Sequence, residues 1–201
     1  MKEFIKKQTR TSKHTSINTS KLPAVYNKVD WSKYSKDCYI FDIGCGCLET
    51  QSLARSKVNG NGLYHFYPWD PCHPCICHPD VTENLMWRCD NLSKVIICSN
   101  VLNVLDTDAA VYDLVGRLCD IIIVKNDAGT YRMNPCYITV YEGDKSGIGR
   151  ETKKDCWQRN ERLDKYLDWF NRVSRNRCGA DLFKIKYGMI VGVTQYPKKV
   201  K

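Results

Sequence analysis

The sequence contains no long hydrophobic run. No window approaches the roughly 18 uncharged apolar residues that a membrane-spanning helix requires, so we expect no membrane partner. The first residues, MKEFIKKQTRTSKHTS, also lack the apolar segment of a secretory signal peptide. These two absences predict a soluble protein of the cytoplasm.

The chain also lacks internal repeats, and its cysteines do not indicate a secreted disulfide scaffold. There are 12 cysteines, but without a signal peptide we expect them to be reduced thiols. With 201 residues and 43% hydrophobic composition, the chain is long enough for one well-buried α/β domain and hardly for two. We expect a basic N-terminal arm over residues 1–22, the domain over 23–196 and a basic tail over 197–201.

Negative charge is scarce towards both ends of the chain. The formal net charge is +9, and it is unevenly divided. Residues 1–30 carry +5, residues 31–144 carry −5, residues 145–177 carry +5 and residues 178–201 carry +4. An acidic body with basic flanks favours a nucleic acid or nucleotide partner held by the flanks, although the solvated ends of soluble proteins also collect lysine.

Short apolar runs alternate with segments of helical spacing, which is typical of a mostly parallel sheet with helices between its strands. The runs cover residues 38–43, 63–69, 94–98, 136–142, 182–187 and 189–194. Helices are predicted over 107–120, capped by Thr107, and over 160–174. Lys186-Tyr187-Gly188 predicts a tight turn that makes the last two strands an antiparallel hairpin. The fold class is therefore α/β.

The stretch YIFDIGCG, residues 39–46, ends the first apolar run in a glycine turn. Gly44 and Gly46 stand where the backbone must turn sharply and where a ligand can approach the main chain without a Cβ in the way. Asp70 ends the next run, at about the distance from this turn where a nucleotide-binding α/β domain carries its ribose-binding acid. A plain turn and an ordinary loop aspartate are the alternatives.

Further motifs follow the glycine turn and Asp70 along the chain. KVIICSNVLNVLDTDA (94–109) is a strand leading into a helix, and YITVYEGDKSGIGRETKKDCWQRN (137–160) is a strand with a long loop. With DIGCG and Asp70, the first of these resembles the class I S-adenosylmethionine-dependent methyltransferases over residues 38–145. The second, with KLPAVYNKVDW (21–31), is similar to an uncharacterised, often phage-encoded methyltransferase-like group. If the protein is phage-encoded, the expected location is the cytoplasm of the host.

The resemblance implies a single doubly wound, Rossmann-like methyltransferase domain with S-adenosylmethionine as cofactor. It implies that Gly44 and Gly46 approach the methionine and ribose parts and that Asp70 holds the ribose. The residues that it assigns to cofactor binding are Asp42, Gly44, Cys45, Gly46, Asp70, Pro71, Asp90, Ser99, Asn100, Val101 and Leu102. Asp90 is the expected adenine contact. The segment between Asp70 and the next predicted strand is too short for the family's full third strand, which we expect to be short or irregular.

Methyl transfer is an in-line displacement, which needs alignment and a closed site more than it needs a metal. A base helps when the acceptor is an amine or a hydroxyl. Glu142 and Asp144 follow a predicted strand at the rim where ligands bind in open α/β sheets, so we predict a catalytic role for both. A solvated loop beside glycines is the alternative for these two residues.

Two signatures of nucleic-acid methyltransferases are missing. Ser99-Asn100-Val101-Leu102 stands where amino-methylating DNA enzymes have Asp/Asn-Pro-Pro-aromatic, and the Pro-Cys of cytosine C5 enzymes is absent there. The acceptor therefore stays open between a small molecule, a nucleotide and a nucleic acid. Two other functions stay open as well: a protein that binds or degrades S-adenosylmethionine and so interferes with host methylation, and a nucleic-acid-binding module on a degenerate α/β scaffold.

The segment PCHPCICHP, residues 71–79, is rich in zinc-ligand types: Cys72, His73, Cys75, Cys77 and His78. Structural zinc sites use two ligand pairs separated by a longer loop, whereas all of these residues lie in one short segment. We therefore predict no metal site and interpret the segment as a proline-stiffened loop over the adenine. A zinc site completed by a remote residue such as Cys89 is the alternative.

Overall fold

The computed structural model describes residues 21–70, 75–89, 92–126, 129–153 and 156–192. The helices are α1 Val25–Lys28, α2 Leu48–Asn59, α3 Pro79–Arg88, α4 Asp108–Ile122 and α5 Leu163–Cys178, with 3-10 turns at Trp31–Lys33 and Leu102–Val104. The strands are β1 Tyr39–Ile43, β2 His65–Trp69, β3 Lys94–Ser99, β4 Ile123–Lys125, β5 Tyr131–Met133, β6 Cys136–Thr139, β7 Arg150–Lys153, β8 Cys156–Gln158, β9 Phe183–Lys186 and β10 Met189–Gly192.

Six strands form one mixed sheet in the order β2-β1-β3-β6-β10-β9. The pairs β1–β2, β1–β3 and β3–β6 are parallel, while β10 runs antiparallel to both β6 and β9. The register aligns Ile43, Cys98, Ile138, Ile190 and Ile185 across five neighbouring strands. Two short hairpins, β4–β5 and β7–β8, lie outside this sheet.

Each face of the sheet carries its own apolar cluster, because successive side chains of a strand point to opposite faces. Helices α4 and α5 contribute to a cluster with Phe41, Ile96 and Ile138. Helices α1 and α2 contribute to a second cluster with Ile40 and Val95, on what we call the α2 face. The chain is therefore a mixed α/β structure with helices on both sides of a mostly parallel sheet.

Several predicted elements are confirmed, and the differences have local causes. Helix α4 begins behind Thr107, whose Oγ1 accepts a hydrogen bond of 3.1 Å from Ala110 N, and the hairpin β9–β10 is present. Helix α5 begins at Leu163 instead of Asn160, because the residues before it are buried in polar contacts described below. Between Asp70 and β3 the described residues form α3 and no strand, and β4 continues directly from α4.

Two further findings concern membranes and thiols. Within the described ranges, no helix is both long and apolar enough to cross a membrane. The ten cysteines whose side chains the structure describes all have free thiols. Pro71, Asp90, most of the N-terminal arm and the C-terminal tail lie outside the described residues, so the predictions made for them stay predictions.

Candidate functional site

The connections from β1 to its two neighbours create a crevice at one edge of the sheet. From β1 the chain first passes through α2 to β2 on one side, and then through α3 to β3 on the other side of β1. Such a reversal of strand order separates the loops that follow β1 and β3. The separated loops leave a crevice outside the carboxyl ends of the strands, and ligands of open α/β sheets bind in such a crevice. The candidate site therefore lies at the carboxyl ends of β1, β2 and β3.

The glycine turn after β1 depends on backbone conformations that side chains disfavour. Gly44 and Gly46 have φ angles of +71° and +79°. Gly44 N donates a hydrogen bond of 2.8 Å to Trp69 O, which ties the turn to the end of β2. A Cβ at Gly44 would lie closer than 3.0 Å to Val101 Cγ2, a separation that folded proteins essentially never show. Gly44 is thus required by both its backbone angle and its neighbour from the loop after β3.

Asp70 closes the other side of the turn. Its Oδ2 accepts a hydrogen bond of 3.0 Å from Gly46 N, so the predicted ribose-binding acid and the predicted cofactor loop are in direct contact. Gln51, buried at the start of α2, donates from Nε2 to Gly46 O at 2.6 Å and accepts at Oε1 from Ile76 N at 2.9 Å. Gln51 therefore joins the loops after β1 and β2, a role that no sequence pattern indicated.

Asp42, which the resemblance assigns to cofactor binding, is buried on the α2 face. Its Oδ2 accepts a hydrogen bond of 2.7 Å from the hydroxyl of Tyr26, which is itself fully buried in α1. Burial raises the pKa of Asp42 to about 7, even though the bond from Tyr26 acts in the opposite direction. In this structure Asp42 holds the segment before β1 against the sheet, and a contact to the cofactor stays a prediction.

Two thiols lie beside the acid. Cys45 is buried, which raises its pKa, while a hydrogen bond from Cys45 is the main cause that lowers the pKa of Cys75. Asp70 N donates to Cys75 Sγ at 3.3 Å, so Cys75 is bound into the loop after β2. Cys77 Sγ instead accepts from Arg55 Nη2 at 3.0 Å.

Residues 71–79 include five side chains of the kinds that bind zinc, and the structure describes three of them. Cys72 and His73 lie outside the described residues, and His78 is exposed. Among the described residues, no three His, Cys, Asp or Glu side chains are grouped as metal ligands would be.

The loop after β3 contributes the third side of the crevice. Ser99 Oγ and Thr139 Oγ1 are hydrogen-bonded at 2.9 Å, and Asn100, with φ of +59°, donates from its N to Thr139 O at 2.8 Å. Val101 is half-buried against Gly44, whereas Leu102 is fully buried in the cluster that includes α4. Ser99, Asn100 and Val101 therefore reach the crevice edge, and Leu102 supports the loop from below.

Glu142 follows β6 and holds the beginning of α5. Its Oε1 accepts a hydrogen bond of 2.8 Å from Leu163 N, and its Oε2 lies 3.1 Å from Lys145 Nζ. The bond from Leu163 is the main cause of a lowered pKa. An ionised carboxylate at a helix N-terminus is stabilising, but a low pKa makes a weak base. The structure thus gives Glu142 a structural contact, and its predicted catalytic role stays a prediction.

Asp144 is exposed in the loop after β6. Its Oδ1 accepts from Ser146 N at 3.0 Å, and this local turn lowers its pKa. Arg150 Nη2 lies 4.0 Å from its Oδ2. Neither of these described contacts joins Asp144 to the loop after β1, and its predicted catalytic role likewise stays a prediction.

A buried polar segment before α5 was not indicated by the sequence. Gln158 Oε1 accepts from Asn103 Nδ2 at 3.4 Å, and Arg159 N donates to Asn103 O at 2.9 Å. Arg159 also pairs with Asp108 at the start of α4. Among the described residues, the buried Oδ1 atoms of Asn103 and Asn160 have no hydrogen-bond partner. This segment clamps the loop after β3, which fixes the third side of the crevice.

The geometry therefore brings Gly44, Gly46, Asp70 and Val101 together at one edge of the sheet. It leaves Asp42 beneath that edge, and Glu142 and Asp144 in contacts of their own. Comparisons of the chain with protein-family models, with curated proteins and with solved structures found no match in any of the three.

Proposed function

We propose that the protein is a methyltransferase that binds S-adenosylmethionine at the carboxyl ends of β1 and β3 and transfers its methyl group to an acceptor. One observation carries this proposal: the Asp70 carboxylate is hydrogen-bonded to Gly46 N, within the turn where the strand order reverses. This pairs a ribose-binding type of acid with a glycine loop at the edge where α/β sheets bind nucleotides. The doubly wound, Rossmann-like interpretation of the fold belongs to the same proposal.

The residues of the crevice fit a nucleoside cofactor in charge and in backbone conformation. A carboxylate accepts several hydrogen bonds, which makes Asp70 the type of side chain that binds the hydroxyls of a ribose. Because Val101 already packs on Gly44, the proposal places the side chain of Val101 in contact with the bound cofactor. Ser99 and Asn100, bonded to Thr139, then hold that side of the pocket in place.

The chemistry needs little from the protein beyond position. S-adenosylmethionine supplies a methyl group that is already activated on a sulfonium sulfur. The loops after β1 and β3 would align this group with the acceptor and exclude water, since a displacement is accelerated by alignment and a closed site. Support for a catalytic base in this crevice is weaker, because the carboxylates after β6 have lowered pKa values and contacts of their own.

Isothermal titration calorimetry with S-adenosylmethionine and with S-adenosylhomocysteine tests the binding step. The informative variant is Asp70→Asn, which keeps an acceptor for Gly46 N and removes the charge. Its affinity for both ligands should fall about 10-fold or more, as expected when hydrogen bonds to a charged group are lost. Asp37→Asn is the matched control, because Asp37 is exposed near the amino end of β1 and should leave affinity unchanged.

Circular dichroism should show that both variants are folded. No binding by the wild type, or equal affinities of wild type and Asp70→Asn, would refute the assignment.

Incubation with methyl-labelled cofactor and with DNA, RNA and metabolite fractions tests the transfer step. Label in one fraction identifies the acceptor class. Cofactor binding without any labelled acceptor, accompanied by cofactor breakdown, would instead support the protein that consumes S-adenosylmethionine.

A further inference from the structure

The α2 face of the sheet is covered at one end and open at the other. Ile40 of β1 and Val95 of β3 are fully buried on this face. On the same face, Lys184 and Lys186 of β9 are exposed, and Val191 of β10 is only half-buried. An exposed sheet face with alternating lysines is a surface suited to a charged partner.

A groove of about 580 Å³ lies over this open end. Its charged and aromatic lining comes from four lysines, one aspartate and two tyrosines: Lys28, Lys33, Lys184, Lys186, Asp30, Tyr137 and Tyr187. Asp30 is the only carboxylate among the described lining residues, and it is paired with Lys33 at 3.2 Å. The lining therefore has a net positive charge. Lys28 comes from the basic segment 1–30, and Lys184 and Lys186 come from the basic segment 178–201.

Tyr187 stands out in the lining because its backbone is in a conformation that its side chain disfavours. Tyr187 and Gly188 form the two-residue turn between β9 and β10, with φ of +54° and +71°. Asparagine or glycine is the usual residue at the first of these positions, and a bulky residue there is a true outlier. The residue is nevertheless 73% exposed, so packing does not explain the choice of tyrosine.

Two lysines contact Tyr187 at the groove, one at its backbone and one at its ring. Lys28 Nζ donates a hydrogen bond of 3.1 Å to Tyr187 O, and Lys186 Nζ lies 5.1 Å from the centre of the ring. A strained, exposed aromatic side chain between lysines matches the arrangement used for unpaired bases, which stack on a ring while cations contact the backbone phosphates.

We propose that this groove binds single-stranded nucleic acid, with Lys28, Lys184 and Lys186 contacting phosphates and Tyr187 stacking on a base. A single strand is favoured over a duplex because stacking on Tyr187 needs an unpaired base. The chain's own outer segments are a poor occupant. By sequence, residues 1–20 hold five Lys or Arg against one acid, and residues 193–201 hold three lysines and no acid. This proposal does not rest on cofactor binding, which involves other residues.

Fluorescence anisotropy of the full chain with a labelled 12-nucleotide single strand tests the proposal. The affinity should fall linearly with salt on a log–log scale. In Lys184→Gln/Lys186→Gln, the slope should decrease in magnitude by about 1.4, which is about 0.7 for each lost phosphate contact. Lys57→Gln/Lys125→Gln removes the same charge away from the groove and is the matched control. Its slope should equal that of the wild type.

Tyr187→Asn separates stacking from folding. Asn-Gly is a favoured pair for this type of turn, so the variant should keep or gain thermal stability. Its affinity for the single strand should nevertheless fall about 5-fold or more, the loss expected when one stacking ring is removed. Wild-type affinity in this variant would overturn the assignment of Tyr187.

Competition experiments with the wild type decide between polyanions. Unlabelled single strand should displace the probe, whereas a mononucleotide, a duplex of equal length and polyglutamate should compete at least 10-fold less well. Equal competition by the mononucleotide, the duplex or polyglutamate would overturn the proposal in favour of that ligand. Equal salt slopes in the two double-lysine variants, or no binding at all, would overturn it entirely.

Discussion

Gly44→Ala should destabilise the protein strongly, and the loss should be traceable to Val101. The new Cβ would lie closer than 3.0 Å to Val101 Cγ2 and 3.4 Å from Val101 Cβ and Cγ1. Relief of this overlap requires Val101 or the turn to move. In addition, alanine must adopt the φ of +71° that glycine holds at no steric cost.

The overlap with Val101 and the strained backbone angle differ in energetic cost, and a second substitution at Val101 affects only the overlap. Overpacking typically costs about 1–3 kcal/mol, and a left-handed backbone costs a non-glycine residue about 1–2 kcal/mol. Gly44→Ala should therefore lower the free energy of unfolding by about 2–5 kcal/mol, a large part of a typical domain's total. Val101→Ala alone removes half-buried methyl groups and should cost only about 1 kcal/mol. In the double variant the overlap disappears and the backbone strain stays.

A double-mutant cycle measured by urea unfolding tests this reasoning. The double variant should be more stable than the sum of the single losses predicts by about 1–3 kcal/mol, which equals the overpacking contribution. Additivity within about 0.5 kcal/mol would show that Val101 does not press on Gly44. That outcome would also remove the proposed contact of Val101 with a cofactor bound at this turn.

Three further predictions concern stability. Burial raises the pKa of Asp42 to about 7, above its value in the unfolded chain. The stability that the protonated carboxyl contributes to the fold is therefore fully present below about pH 4, and it is lost as pH rises through 7. The free energy of unfolding of Asp42→Asn, measured by urea titration, should therefore rise relative to that of the wild type by up to about 4 kcal/mol between pH 4 and 8. A difference between the two proteins that does not change with pH would contradict this. Glu142→Gln should cost about 0.5–1 kcal/mol at pH 7 through the N-terminus of α5, and the loss should vanish as pH falls through the lowered pKa. Thr107→Ala should cost about 1 kcal/mol in thermal unfolding, whereas Thr107→Ser keeps the cap of α4 and should cost little.

The strands of the main sheet could be predicted because their sequences are short, mainly apolar runs bounded by turn residues. The glycine turn and Asp70 were predictable as partners for a related reason. In a parallel sheet, the ends of adjacent strands lie at the same edge, so a residue at the end of β2 meets the loop after β1. The contact from Gly46 N to Asp70 is the structural expression of this rule.

Contacts between distant segments could not be predicted in this way. The hairpin β7–β8 lacks alternating hydrophobicity, so its strands have no signature in the sequence. Gln158 and Arg159 were placed in the long loop after a predicted strand, but their burial depends on the loop after β3, some 55 positions earlier. The bond between Tyr26 and Asp42 depends on how α1 docks, which local propensity does not encode.

The position of β10 has a consequence for synthesis of the chain. This strand lies between β6 and β9, so Ile138 of β6 obtains its partner Ile190 only when the ribosome has added the whole of α5 and the last hairpin. At about 5–20 residues per second, the edge of β6 is unpaired for roughly 3–10 s. An open edge of this kind can pair with another nascent chain. Truncation before Phe183 would make that exposure permanent, and the shortened chain should aggregate instead of accumulating as a folded fragment.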